Sequence, residues 1–353
     1  MQLRFAHRRY RLKFKAPVRT AHGVWAEREG LLVRVESETG RVGYGDAPLI
    51  PWFGMADVEE AEAWLNTLAA CVRSEDLARV PAQFACVRGA LQAAAQNAGL
   101  NVCSENVTSG GTLQNLVSAL EPRTHLHIAA LLPAGRAALE RARERADLGF
   151  RCFKWKVGVA DVAEELPLLD DLLSVLPSGS RLRLDANGAW DRRRAERWLE
   201  RCAERPIEFV EQPVAEDLSG VEDLLFGLAG DFPTPIALDE SVVSDADLER
   251  WLGLGWPGLY VLKPSLLAEP EVRMAKLAKE RAGVVFSSAL ETRIGAKRLL
   301  RLALSWGGEM RPVGAGVWPL FEDGRFDGPF AAPFFRLSDI ETLNEEETWN
   351  ALN

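Results

Sequence analysis

The chain has 353 residues, 47% of them hydrophobic and 26% charged, and a formal net charge of -9. That length exceeds one small domain and suits a barrel of about 250 residues with a smaller unit attached. With no dense basic run, the negative balance excludes nucleic acid and anionic membranes as expected partners; a small anionic substrate stays open, because local lysines and a metal override a global charge.

In chain order, residues 2–15 alternate loosely as a strand. Residues 30–47 read as a hairpin with a turn near Thr39-Gly40, and 56–73 and 81–99 read as helices. Residues 1–104 are therefore expected to form an α+β capping domain. From about residue 125 the pattern changes. Strands are predicted at 125–132, 152–157, 181–186, 207–212, 235–239, 258–263, 283–288 and 310–314. Helices are predicted between them at 135–149, 161–176, 191–204, 216–228, 244–253, 270–281 and 293–305. Eight strands with seven intervening helices predict an α/β fold, a (β/α)8-type barrel modified to (β/α)7β, over residues 105–316. Residues 317–353 are expected to pack back on the cap. A doubly wound open sheet has a similar alternation, but it would carry a Gly-rich turn after its first strand, and no G-x-G-x-x-G occurs there.

The five cysteines (Cys71, Cys86, Cys103, Cys152, Cys202) are odd in number and match no zinc spacing. They read as reduced thiols of a cytoplasmic protein. No apolar signal core opens the chain, and no run of about 18 apolar residues occurs.

The chemistry lies at the ends of the predicted strands. Lys154 and Lys156 are two apart on one strand and face the same side. Asp185, Glu211, Asp239 and Lys263 follow at gaps of 29, 26, 28 and 24 residues, each about one strand, helix and two loops. Side chains at such intervals meet at the C-terminal mouth of a barrel. Three converging carboxylates repel one another and call for a cation. Hard oxygen donors suit Mg2+ best, with Mn2+ as a substitute. Two neighbouring ammonium groups in a partly desolvated site are expected to lower a lysine pKa, which makes a neutral lysine available as a general base. A metal between lysines suits proton abstraction next to a carboxylate, with the metal taking up enediolate charge.

Lys-x-Lys, Asp-Ala-Asn, Glu-Gln-Pro, Asp-Glu-Ser and Lys-Pro, in this order, resemble the muconate-lactonizing subgroup of the enolase superfamily. Within it the chain looks most like the o-succinylbenzoate synthases. Gly43-Tyr44-Gly45-Asp46-Ala47-Pro48-Leu49, Leu182-Arg183-Leu184-Asp185-Ala186-Asn187 and Phe286-Ser287-Ser288-Ala289-Leu290-Glu291 support the likeness. The chain departs from the pattern at Asp46, where relatives often carry Glu. The resemblance implies that Lys156 is the base, that Lys154 tunes it and that Lys263 stabilises the anion across the ring. It implies Asp185, Glu211 and Asp239 as Mg2+ ligands, and Ser287, Ser288, Asn187 and Arg183 as substrate contacts. It also implies that residues 16–29, which carry His22, form a mobile loop that sets specificity. The implied reaction is syn dehydration of a succinyl-hydroxycyclohexadiene carboxylate on the menaquinone pathway.

Two other readings stay open. An N-succinylamino acid racemase, or a related epimerase or cycloisomerase, would use Lys156 and Lys263 as opposed bases. A barrel that binds metal or carboxylate without turnover is the other. The dipeptide epimerases' Asp-x-Asp is missing from 310–316, and all four histidines precede residue 130, against the mandelate-racemase type.

Overall fold

The structure, a computed structural model, describes residues 3–20, 23–68, 71–72, 76, 79–100 and 123–352. Strands β1 (Leu3–Thr20) and β2 (Gly23–Glu36) make a long antiparallel hairpin. With β3 (Val42–Ala47) and β4 (Cys71–Val72) they form a sheet of order β3-β2-β1-β4. The expectation of a loop over 16–29 is corrected here. Val18 opposes Trp25 and Arg19 opposes Val24 in the same ladder, and Trp25 packs edge-on to Phe14 at 5.3 Å. Cross-strand aromatic contact keeps this stretch extended, and the register shift between Lys13 and Val18 bends it. His22 lies outside the described residues.

Among the described residues two helices cover the sheet, α1 (Val58–Leu65) and α2 (Ala85–Asn97). Asp57 caps α1 by accepting from the Glu60 amide at 2.8 Å. The predicted helix over 56–73 is shorter than expected, ending at Leu65, and β4 occupies Cys71–Val72. The alanine-rich α2 lies directly on β3. A Cβ at Gly43 or Gly45 would collide with the carbonyl oxygens of Ala94 and Ala90, so both glycines permit the close approach.

The second unit is a curled parallel sheet of seven strands: β6 (Ala130–Leu132), β7 (Cys152–Lys156), β8 (Arg181–Asp185), β9 (Ile207–Glu211), β10 (Ile236–Leu238), β11 (Leu259–Leu262) and β12 (Gly283–Phe286). Neighbours pair in sequence order. Helices α3 (Ala137–Asp147), α4 (Val162–Val175), α5 (Arg192–Cys202), α6 (Val221–Asp231), α7 (Asp245–Gly253), α8 (Pro270–Lys279) and α9 (Arg293–Leu304) alternate with the strands. Phe153, Trp155 and Val157 are buried, with Trp155 edge-on to Trp198 of α5, while Lys154 and Lys156 alternate with them. That alternation aims both lysines into the barrel.

Two predicted strands differ from expectation. The stretch 125–132 divides: β5 (His125–His127) pairs antiparallel with β13 (Phe334–Arg336), and only β6 joins the barrel. The stretch 310–314 makes no ladder. Val313 bridges to Ile128 and Gly314 to Ser287, and these isolated contacts close the ring. Pro312 has no N–H to pair, and its carbonyl accepts from Arg183 instead.

Residues from 317 onward touch both units. Phe321 stacks on Phe14, Trp349 lies against Tyr44, and Arg8 donates to the Trp349 carbonyl. The expected boundary at 104–105 lies outside the described residues, as does Cys103. Cys86, Cys152 and Cys202 are buried free thiols. Among the described residues no helix is long and apolar enough to cross a membrane.

Candidate active site

Six of the seven barrel strands end by delivering a polar side chain to one mouth, and β6 contributes Leu131 and Leu132. Lys154 and Lys156 come from β7, Asp185 from β8 and Glu211 from β9; Asp239 follows β10, Lys263 follows β11, and Ser287 and Ser288 follow β12. All of these except the buried Glu211, together with the cap residues Val18, Trp25, Ile50, Trp52 and Phe53, border a cavity of about 460 Å3. One wall is therefore charged and the other aromatic, an arrangement suited to an organic acid.

The Lys154 ammonium lies 2.8 Å from Asp185 Oδ2 and 2.7 Å from Glu211 Oε1. The Lys263 ammonium donates to Asp239 Oδ1 and stands 5.4 Å from the centre of the Phe53 ring. Burial disfavours charge on Lys154, but Asp185, Glu211 and Asp239 outweigh it and hold the ammonium above its ordinary range. Burial likewise works against charge on Lys263, and Asp239 and Glu240 raise it. The expectation that two neighbouring ammonium groups lower a lysine pKa does not hold at Lys154, because the carboxylates decide. Glu211 is pushed well up by burial and by Asp185 and Asp239, against the pull of Lys154. Asp239 is held below its usual range because Lys263 and Lys154 overcome its burial.

The three acids expected around one cation are brought to the same mouth, yet two ammonium groups stand between them. Among the described residues no group of three His, Cys, Asp or Glu side chains is disposed to hold a metal ion as it stands. Like-charged carboxylates packed this closely need positive charge, and the lysines provide it here. Donor chemistry still fits a hard divalent cation. All three groups are carboxylates, and two further oxygens beside them, Asn187 Oδ1 and Glu240 Oε2, are buried without a partner.

Arg183 is a correction. It does not border the cavity and is 1% exposed. Its guanidinium donates to Glu208 at 2.7 Å and to the Pro312 carbonyl at 2.8 Å, and it lies over the Phe209 ring. It faces the same side as Asp185 but one layer deeper. Asn187, Ser287 and Ser288 do border the cavity.

Sequence reasoning missed two positions. Gln212, left without a role inside Glu-Gln-Pro, is fully buried with φ 37°. Its Oε1 accepts from the amides of Asp239 (3.0 Å) and Ser241 (3.2 Å), and its Nε2 donates to Ser241 Oγ and the Val214 carbonyl. Its place directly after Glu211 was the available signal. Glu240 accepts from Asn187 at 3.1 Å, and burial beside Asp239 lifts its carboxyl to about 7.

Comparison with known proteins agrees with this geometry. The Enolase C-terminal domain-like family matches residues 137–301. An o-succinylbenzoate synthase from Thermosynechococcus vestitus is 37% identical over 309 residues, 86% of this chain and 89% of that one. The crystal structure of o-succinylbenzoate synthase from Thermosynechococcus elongatus, complexed with Mg in the active site, superposes with a TM-score of 0.78 at 33% identity, covering 99% of both chains. The L-Ala-D/L-Glu epimerase of Bacillus subtilis shares the fold, with a TM-score of 0.76 at 21% identity over 94% of this chain and 95% of that one. The chain is an enzyme of the lyase class and belongs to the o-succinylbenzoate synthase family of the enolase superfamily.

Proposed function

We propose that this chain catalyses the syn dehydration of 2-succinyl-6-hydroxy-2,4-cyclohexadiene-1-carboxylate to 2-succinylbenzoate, a cytoplasmic step of menaquinone biosynthesis. The observation that carries the reading is one cavity in which Lys156 and Lys263 come from different strands, with acids between them and an aromatic wall above. Lys154 is engaged by two carboxylates and stays charged, and the family resemblance gives the base role to Lys156. In its neutral form Lys156 takes the proton α to the ring carboxylate. The C–H pair becomes ring π density, the C–O bond breaks, and Lys156 returns the proton to the departing hydroxide as water. Loss of water leaves an aromatic ring, and that gain drives the step.

Lys263 keeps its charge against Asp239 and faces the anion that develops in the ring. Lys154 holds Asp185 and Glu211 in place. Ser287 offers its hydroxyl to the succinyl side, Ser288 borders the same side with its hydroxyl held by Glu291, and Asn187 borders the cavity as well. Asp185, Glu211 and Asp239 would hold Mg2+, which when bound supplies positive charge to the substrate carboxylate; Mn2+ would substitute. The likeness to a synthase complexed with Mg supports this choice.

Lysines from two separate strands also fit a second reading, racemisation of an N-succinylamino acid at one carbon exposed to both. The decisive assay is the ultraviolet change on aromatisation, measured with Mg2+, after chelation and with Mn2+ added back. Conversion that depends on the metal is expected. Inert protein that instead racemises N-succinylamino acids would replace the first reading with the second.

A further inference from the structure

Glu291 is 0% exposed, lies just before the N-cap residue Thr292 of α9, and takes no part in the chemistry above. Its Oε2 accepts from the Ser288 hydroxyl at 3.1 Å and from the Ala289 amide at 2.5 Å. Ser288, Ala289 and Leu290 all border the cavity. Between them and Glu291 the backbone turns sharply, with Leu290 at φ 57°, a left-handed conformation uncommon for a branched residue. Three contacts hold that turn. The Leu290 amide donates to Ser288 Oγ at 2.9 Å, and the Leu290 carbonyl accepts from Arg28 Nε of the cap at 3.2 Å. The third is Glu291 itself, which fixes the Ser288 hydroxyl that receives the Leu290 amide.

The next residue ties the same turn to the cap. Asp46 Oδ2 accepts from the amide and the hydroxyl of Thr292, both at 2.7 Å, and Asp46 Oδ1 accepts from the buried Tyr10 hydroxyl. Gly295 leaves the room for this junction, since a Cβ there would press on Glu291 and approach Asp46 Oδ2 to 3.0 Å. A buried acid serving only as a structural filler would have no reason to aim its acceptor at the cavity wall.

We propose that Glu291 is a positioning residue that sets the Ser288–Leu290 wall, and that the Asp46–Thr292 contact makes the cap's seat part of that setting, so that the pair governs how tightly substrate is held. This rests on the proposed dehydration for its kinetic readout. The test is steady-state kinetics on the full chain with Mg2+ and the cyclohexadiene substrate for E291A, E291D and E291Q, with amide exchange at Ala289 and Leu290. A lost acceptor for two donors predicts KM about tenfold higher in E291A and E291D with kcat within about threefold. E291Q, whose carbonyl oxygen can still accept both, should stay near the parent. Faster exchange at the two amides should follow the same order without any substrate present. An unchanged KM and unchanged exchange in E291D, which keeps the charge and a folded core, overturns the inference, as does an E291Q as impaired as E291D. If the parent enzyme fails to turn over the substrate while exchange still ranks the variants this way, the dehydration reading falls and the wall assignment stands.

Discussion

The Lys263 ammonium is shared between Asp239, a barrel carboxylate, and the face of Phe53, a cap residue 5.4 Å away. The cap therefore supplies part of the environment of a barrel lysine, and the two units depend on each other at the site. A cation over an aromatic face gains about 0.5–2 kcal/mol according to its exposure.

Replacing Phe53 with Leu keeps apolar bulk and removes the ring face. kcat/KM is expected to fall about 3- to 30-fold, chiefly in kcat if Lys263 acts on the developing anion. Steady-state kinetics with the dehydration substrate read the split, and an unchanged kcat would remove Phe53 from the account.

Lys156→Ala should lower kcat by at least about a thousandfold, since no other side chain would take the α proton. Substrate affinity should change little. Solvent-deuterium exchange at the α carbon, followed by NMR, gives an independent reading, and exchange that persists in the variant would assign the base elsewhere.

Gln212→Ala leaves the buried amides of Asp239 and Ser241 without their acceptor. A loss of about 2–4 kcal/mol in unfolding free energy is expected. Mg2+ affinity should weaken by about 10- to 100-fold, because Asp239 loses its anchor. Urea denaturation and calorimetric titration measure the two effects, and full metal affinity in the variant would contradict the anchoring role.

Arg183→Met keeps the volume but leaves Glu208 buried beside Arg311, with one of its two inner guanidinium partners removed. Breaking a buried pair from one side costs about 3–5 kcal/mol. A drop in melting temperature with KM preserved is expected. A large rise in KM alone would return Arg183 to the substrate contacts.

Glu291 links stability to pH. Burial lifts its carboxyl from 4.5 to about 7, so the folded chain binds this proton more tightly than the unfolded one. Its contribution is most favourable below pH 4.5, and stability declines as pH rises towards 7, by at most roughly 3 kcal/mol. Gln carries no such charge, so E291Q should gain on the parent between pH 5 and pH 8. Urea denaturation of both proteins at the two pH values tests this, and a constant difference between them would show that the carboxyl does not titrate there.

The barrel was legible in the sequence because charged residues recur at one strand-and-helix interval, from Lys156 to Lys263. The resemblance places Arg183 among the substrate contacts, and neither it nor the strand's alternation records depth, so the layer below Asp185 where Arg183 sits is not legible. The pairing of Lys154 with Asp185 and Glu211 depends on barrel curvature, which spacing along the chain does not encode. The family resemblance implies a loop over residues 16–29, whereas the cross-strand partner of Trp25 lies in β1. Gln212 and Glu291 act through hydrogen bonds to backbone amides, and residue type alone carries no record of those.

The ring is joined unevenly. Adjoining barrel strands such as β7 and β8 share five paired positions, while the junction at Val313 and Gly314 rests on single bridges to either side. That seam runs through Ser287, so the place where the hoop is closed lies at the cavity's edge, between the first and last strands of the barrel.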